Sequence, residues 1–199
     1  MKILFYGDSN TFGYDPADLY EQRYPKHCRW TTLLQEQDPE CWEIIPEGMN
    51  GRQLPDLKYN AGHIGRLLEN LQHGDLFAVM LGTNDILLTM DPDAGRAITK
   101  MQRFLEFLTQ RIAEVDILVI APPYIGRKDI QDPLYHRYYI ESVRMNTGFR
   151  ELADTFHVGF VDAGKWHVDM SSDLVHLSEE GHRQFAERMT AHLRSICQP

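Results

Sequence analysis

Five short apolar runs recur along this chain, and longer segments with a helical spacing of apolar residues separate them. The runs are residues 3–6, 42–45, 76–81, 117–120 and 158–161. Uninterrupted apolar runs of this length are typical of strands that are covered on both faces, as in a parallel sheet. The alternation therefore predicts an α/β fold, a three-layer α/β/α sandwich around a five-stranded parallel sheet.

Apolar side chains repeat every three or four residues in the segments between these runs. This spacing predicts helices over residues 62–72 and 134–155, together with a helix whose apolar face runs from Ile98 to Ile112. It also predicts a last helix, which Ser178 is placed to cap. The apolar face of that last helix is formed by Phe185, Met189, Leu193 and Ile196.

The chain contains no internal repeat, low-complexity segment or linker, and its length of 199 residues suits a single domain spanning residues 1–199. Two long irregular stretches remain, residues 10–27 and 121–134, and each leaves the carboxyl end of a predicted strand. Loops of this length often carry function.

The composition excludes several classes of partner. A net charge of −9 disfavours nucleic acid and anionic membranes. Its apolar runs are too short for a membrane span or a secretory signal. Three scattered cysteines, Cys28, Cys41 and Cys197, provide neither a disulfide framework nor a metal motif. We expect a cytoplasmic protein with reduced thiols, acting on a small molecule.

Polar motifs follow four of the predicted strands. Ser9 comes after the first strand, Gly51 after the second and Asn84 after the third, while Asp173 and His176 lie in the stretch after the fifth. Ligands of doubly wound folds bind at the carboxyl edge of the sheet. The sequence therefore predicts that these residues meet in one site.

Their chemistry fits nucleophilic acyl transfer. A serine hydroxyl needs a base to take its proton, and His176 is the candidate base for Ser9. Asp173, three residues earlier, is placed to hold the imidazole tautomer. The backbone N–H groups of Ser9 and Gly51 and the side-chain amide of Asn84 are candidate donors to a tetrahedral oxyanion.

Other interpretations use the same residues differently. Ser9 could cap a helix, and a loop over residues 7–13 could bind a phosphate-bearing ligand or a flavin as a non-enzymatic module. That binding module leaves Asp173 and His176 without a role. A phosphatase using Asp8 would want a second aspartate where Asn10 stands, so we expect Asp8 to hold the turn instead. No G-x-S-x-G elbow is present.

Two sets of histidines are further candidates for a role. His167, Asp169, Asp173 and His176 could ligate zinc, but no paired ligand spacing supports a metal site, and none is expected. His182 and His192 fall on the last predicted helix, where we expect them to be solvated. Among the weaker candidates Tyr14, Arg29, Arg52, Tyr124 and Arg127, Arg52 is as consistent with a structural salt bridge as with a substrate contact.

Taken in order, the motifs resemble those of the SGNH hydrolase superfamily, also called the GDSL family, from Gly7 to His176. The resemblance implies a flavodoxin-like α/β/α fold, an ester substrate and no cofactor. It also implies Ser9 as nucleophile, Gly51 and Asn84 as oxyanion donors, and Asp173 with His176 as the rest of a triad. Asn10 departs from this pattern, because the first motif usually has leucine there.

A narrower resemblance concerns a branch that contains oligomeric aryl and acetyl esterases. The residues that carry it are Arg29-Trp30, residues 47–52 and Ala121-Pro122-Pro123. It implies small acyl esters as substrates and a homo-oligomer, while the physiological ester stays open.

Overall fold

The structure is a computed structural model that describes residues 1–20, 22–112 and 115–196. Its sheet contains the strands β1 (Lys2–Gly7), β2 (Glu43–Gly48), β3 (Leu76–Met80), β4 (Asp116–Ala121) and β5 (Gly159–Asp162). All four neighbouring pairs are parallel, in the order β2-β1-β3-β4-β5. The predicted α/β fold with five parallel strands is confirmed.

Seven α-helices lie within the described residues. They are α1 (Ser9–Phe12), α2 (Trp30–Gln37), α3 (Leu57–Leu68), α4 (Thr83–Leu87), α5 (Ala94–Thr109), α6 (Pro133–Phe156) and α7 (Glu179–Ile196). The helix predicted over residues 62–72 begins earlier, because the Asp56 side chain accepts the Lys58 N–H and caps α3 there. Ser178 caps α7 as predicted, accepting the Gly181 N–H at 3.0 Å.

The sheet separates two hydrophobic cores, because successive strand residues point to opposite faces. Leu4 and Tyr6 of β1 pack on one face with buried residues of α3, α5 and α6. Ile3 and Phe5 pack on the other face with buried residues of α2 and α7. On α7, the predicted apolar face is buried except for Ile196, which is 51% exposed at the end of the helix.

A close backbone approach joins the end of β2 to α1. A Cβ on Gly48 would lie 2.2 Å from the backbone nitrogen of Phe12, which no side chain can tolerate. Glycine therefore lets the turn after β2 lie against the helix that Ser9 begins. This contact brings the first two polar motifs of the sequence together.

Cys28 is buried and Cys41 is exposed, and both are free thiols. Cys197 lies outside the described residues. In the part of the chain that the structure describes, no helix combines the length and the apolar character needed to cross a membrane.

Candidate active site

Ser9 lies at the carboxyl end of β1, in the first turn of α1. The cap of this helix is Asp8 rather than Ser9, since Asp8 Oδ1 accepts the Asn10 N–H at 3.0 Å. Asp8 thus holds the turn, as expected. The cap leaves the Ser9 hydroxyl available for other partners, although the residue is only 7% exposed.

The Ser9 hydroxyl meets His176, which lies 167 positions further along the chain. Ser9 Oγ and His176 Nε2 are 2.9 Å apart, within hydrogen-bonding distance. The imidazole also packs against the Tyr14 ring, with the two ring centroids 4.6 Å apart. The fold therefore brings the predicted hydroxyl and imidazole together at the carboxyl edge of the sheet.

Asp173 completes the line on the far side of the imidazole. Its Oδ2 lies 2.6 Å from His176 Nδ1, while its Oδ1 accepts the backbone N–H groups of Val175 and His176 at 3.0 Å each. Partial burial raises the pKa of Asp173, but these hydrogen bonds outweigh it and hold the pKa below the usual value. Asp173 therefore stays ionised next to the ring.

Gly51 and Asn84 are held near each other across the ends of β2 and β3. Gly51 has a φ of +71°, in the left-handed region that favours glycine, and a Cβ there would meet nothing within 4 Å. Its backbone conformation, rather than crowding, explains the glycine. Asn84 Nδ2 donates to the carbonyl of Arg52, the next residue along, at 3.1 Å.

Arg52 is buried and forms the structural salt bridge that the sequence allowed, with Glu47 as its partner. Its guanidinium donates to the Gly7 carbonyl at 2.9 Å, to the Glu47 carbonyl, and to Glu47 Oε1 at 3.0 Å. It also lies over the Tyr6 ring, 4.3 Å from the centroid. Arg52 thus ties the end of β1 to the turn that carries Gly51.

Asp85 anchors the third motif from within the protein. Its Oδ2 accepts the Leu54 N–H at 2.8 Å, and its Oδ1 accepts the Lys100 ammonium at 2.7 Å. Burial raises the pKa of Asp85, and the bonds from Lys100 and Leu54 oppose that rise. These contacts fix α4, which carries Asn84.

The other weak candidates have local roles. Arg29 Nε donates to the Tyr24 carbonyl at 2.7 Å. Tyr124 and Arg127 line a cavity of about 570 Å³ together with Leu174. Tyr124 also packs edge-on against Tyr139, with ring centroids 5.7 Å apart.

The expectation that both histidines of the last helix are solvated is wrong for His182, which is fully buried, while His192 is half-buried. His182 Nδ1 accepts the Trp30 N–H at 3.4 Å, and its ring packs edge-on against Tyr24. Burial, with the charges of Arg29 and His176, lowers the pKa of His182 to about 3. It is therefore a neutral core residue.

Asp8 is a second buried ionisable group in this region. Burial raises its pKa to about 6, against the hydrogen bond from Asn10 and the charges of His176 and Arg52. Within the described ranges, no three or more His, Cys, Asp or Glu side chains are grouped so that they could hold a metal ion.

Comparisons with known proteins place this geometry in context. The model of the GDSL-like lipase/acylhydrolase family matches residues 5–184. A comparison with curated proteins finds no significant match.

Solved structures provide full-length matches. A predicted arylesterase from Agrobacterium tumefaciens is 28% identical with a TM-score of 0.82, and 98% of this chain and 99% of that chain are covered. A carbohydrate acetylesterase family member from Sinorhizobium meliloti is 26% identical with a TM-score of 0.79, covering 98% of each chain. The aryl esterase of M. smegmatis shares the fold at 23% identity and a TM-score of 0.80, over 98% of this chain and 99% of that chain.

Proposed function

Because the chain belongs to the GDSL-like lipase/acylhydrolase family and is therefore a carboxylic ester hydrolase, we propose that it cleaves small acyl esters through an acyl-enzyme on Ser9. The observation that carries this proposal is the continuous line from Ser9 Oγ through the His176 ring to Asp173, with separations of 2.9 and 2.6 Å. Each neighbouring pair in this line is close enough to share a proton.

In the first half of the reaction, Ser9 Oγ attacks the carbonyl carbon of the ester while its proton moves to His176 Nε2. The imidazolium that forms is stabilised by ionised Asp173. Collapse of the tetrahedral intermediate breaks the bond to the alcohol oxygen, and His176 gives its proton to that leaving alcohol. The acyl group is then bound to Ser9.

In the second half, His176 takes a proton from water, and the resulting hydroxide attacks the acyl carbon. The same proton then returns to Ser9 Oγ as the carboxylic acid leaves. The oxyanion of both tetrahedral intermediates needs donors that are already in place.

Three donors are proposed for that oxyanion. Ser9 lies in the first turn of α1, where backbone N–H groups have no partner within the helix. An amide nitrogen carries two protons, so the bond from Asn84 to the Arg52 carbonyl leaves a second proton for the substrate. The Gly51 N–H is the third donor, on the turn that Arg52 and Asn84 hold.

The substrate class is proposed from the structural neighbours. Two of these neighbours, at 28% and 26% identity, are an arylesterase and a carbohydrate acetylesterase family member, which supports esters with a short acyl group. The alternative of a non-enzymatic phosphate-binding module is not favoured, because it gives no role to the paired Asp173 and His176.

The test is hydrolysis of p-nitrophenyl acetate and butyrate by wild-type protein and by Ser9→Ala. We expect the substitution to lower kcat by about 10⁴–10⁶-fold. Ser195→Ala, at an exposed serine of α7, is the matched control and should keep the wild-type rate. Labelling with a fluorophosphonate, followed by mass mapping, should place the adduct on Ser9. Equal rates for wild type and Ser9→Ala would refute the proposal.

A further inference from the structure

Asn10 joins the segment that carries Ser9 to the segment that carries His176. Its Nδ2 donates to the Val175 carbonyl at 3.2 Å, and its Oδ1 accepts the Leu177 N–H at 2.9 Å. Val175 and Leu177 are the two chain neighbours of His176. One side chain therefore holds the backbone on both sides of the residue that bears the imidazole.

The two ends of the Asn10 amide are not interchangeable here. A carbonyl oxygen needs a donor and an N–H needs an acceptor, and a primary amide supplies one of each on the same planar group. A carboxylate would lose the donor. The leucine that is usual at this position in the SGNH hydrolases would lose both bonds while filling a similar volume.

The remaining backbone groups around His176 bond within their own loop. The N–H groups of Val175 and His176 bond to Asp173, and the His176 carbonyl accepts the Ser171 N–H at 2.7 Å. These bonds shape the loop but do not attach it to β1 and α1. The Asn10 amide makes that attachment, one residue away from Ser9.

Asn10 is itself firmly held. Its side chain and backbone are 3% exposed, and its carbonyl accepts the indole N–H of fully buried Trp30 at 2.8 Å. Buried hydrogen-bonded groups of this kind move little, because losing a partner leaves an unsatisfied polar atom. Asn10 is therefore a rigid anchor for the loop that carries His176.

We infer that Asn10 is the positioning residue that sets the distance between the Ser9 hydroxyl and the His176 imidazole. The inference rests on the proposed function, in which His176 is the base for Ser9. Asn10 does not need to touch the substrate for this role. A misplacement of about 1 Å in such a pair costs on the order of 10²-fold in rate, so the loss of both bonds should slow the chemical step.

The test compares Asn10→Leu with Asn146→Leu. Asn146 is a matched control because it is buried like Asn10 and its side-chain amide also makes two hydrogen bonds, here both donated by Nδ2, to the Pro122 carbonyl and to Asp162 Oδ1. For each variant, Tm is measured, intact sites are counted by titration with a fluorophosphonate, and kcat and KM for p-nitrophenyl acetate are expressed per titrated site. The rate constant of fluorophosphonate labelling is measured separately, since it reports Ser9 activation without deacylation.

We expect Asn10→Leu to lower kcat per site and the labelling rate constant together, each by about 10–100-fold, with KM changed less than about twofold. Asn146→Leu should have a lower Tm than wild type, while its kcat per site stays within about twofold of wild type. A purely structural role for Asn10 predicts the same pattern for both variants, and that result would overturn the inference.

A second variant covers the case in which Asn10→Leu does not fold. Asn10→Asp keeps the size of the side chain and the acceptor for Leu177, but places an oxygen against the Val175 carbonyl. At pH 8 we expect kcat per site to fall at least about tenfold; wild-type kcat would contradict the inference. Ser9→Ala, run alongside, separates the two claims: an active Ser9→Ala refutes the proposed function, whereas an inactive Ser9→Ala with fully active Asn10 variants refutes the positioning role alone.

Discussion

The carboxylate of Asp173 contacts both the backbone and the imidazole ring of His176. One carboxylate oxygen accepts the His176 backbone N–H at 3.0 Å, and the other lies 2.6 Å from ring Nδ1. The same carboxylate thus shapes the loop and orients the imidazole. Its removal should affect the rate far more than the fold, because the loop keeps its other hydrogen bonds.

Asp173→Asn tests this relationship. The amide can still accept the backbone N–H groups through one oxygen, but it presents an N–H₂ to the ring and favours the wrong imidazole tautomer. We expect kcat for p-nitrophenyl acetate to fall by about 10²–10⁴-fold with Tm little changed. Asp129→Asn, at an exposed aspartate, is the control. A variant with wild-type kcat would show that Asp173 does not orient the base.

Asn84→Ala should remove one of the three proposed oxyanion donors. We expect kcat to fall by about 10²–10³-fold, with a smaller change in KM, because the oxyanion exists only in the transition state and the intermediates. Asn70→Ala is the control, since Asn70 Nδ2 also donates to a backbone carbonyl, that of Arg66, at 3.0 Å on an exposed face. An equal effect of the two substitutions on kcat would argue against an oxyanion role.

Arg52→Lys should loosen the turn that carries Gly51. Lysine keeps the charge but cannot reach the Gly7 carbonyl and Glu47 with one planar group. The loss of one charged hydrogen bond should reduce the free energy of unfolding by about 1.5–3 kcal/mol, measured in urea. Arg66→Lys, an exposed arginine of α3, should change it by less than about 0.5 kcal/mol. Similar losses in both variants would contradict the structural role.

Asp8→Asn should change how stability depends on pH. The folded-state pKa of Asp8 is about 6, above the ordinary value of 3.8. Between these values the unfolded chain releases its proton first, so the aspartate makes wild-type stability fall as pH rises from about 4 to 6, by up to about 3 kcal/mol. The stability of the variant relative to wild type should therefore rise across this range and then level off. If the free energy of unfolding depended on pH in the same way in both proteins, the pKa of Asp8 would not be raised by folding.

His182→Gln should also change the pH dependence of stability, but in the opposite direction, because His182 makes wild-type stability fall as the pH falls. Because burial lowers the pKa of His182 to about 3 from 6.5, the unfolded chain gains a proton first as pH falls, and wild-type stability is lost at about 1.4 kcal/mol per pH unit over that window. Glutamine keeps an acceptor for the Trp30 N–H but does not titrate. Urea unfolding between pH 4 and 7 should therefore show a smaller loss in acid for the variant. An unchanged slope would contradict the assignment of His182 as a neutral buried group.

The strands and the four polar motifs could be predicted because their signals are local. Apolar runs mark β1 and β3, and Ser9, Gly51 and Asn84 lie two to four residues after the ends of β1, β2 and β3. Asp173 and His176 come later, 11 and 14 residues after the end of β5.

The sequence does not predict helix α2, because only three of its eight residues are buried, Trp30, Thr31 and Leu34. Three residues are too few to show a clear helical repeat of apolar side chains. The stretch 10–27, predicted to be irregular, begins in helix α1. The sequence does not indicate this helix, because Asp8, Ser9 and Asn10 are also favourable turn residues.

The roles of His182 and Arg52 differ in how far the sequence indicates them. His182 could have been recognised as buried, because it precedes Phe185 and Met189 by three and seven positions and shares their helical face. The role of Arg52 had no comparable signal. Its partner Gly7 lies 45 positions away, and only the parallel pairing of β1 with β2 brings the two together.

The distance of 167 positions between Ser9 and His176 has a consequence for synthesis. In the proposed mechanism, ester cleavage cannot begin until His176 has been made and its loop, which follows β5, has folded against Ser9. Esterase activity therefore requires that the segment carrying His176 has folded onto the rest of the protein. Shortened fragments that retain the amino-terminal strands should carry a serine without reactivity.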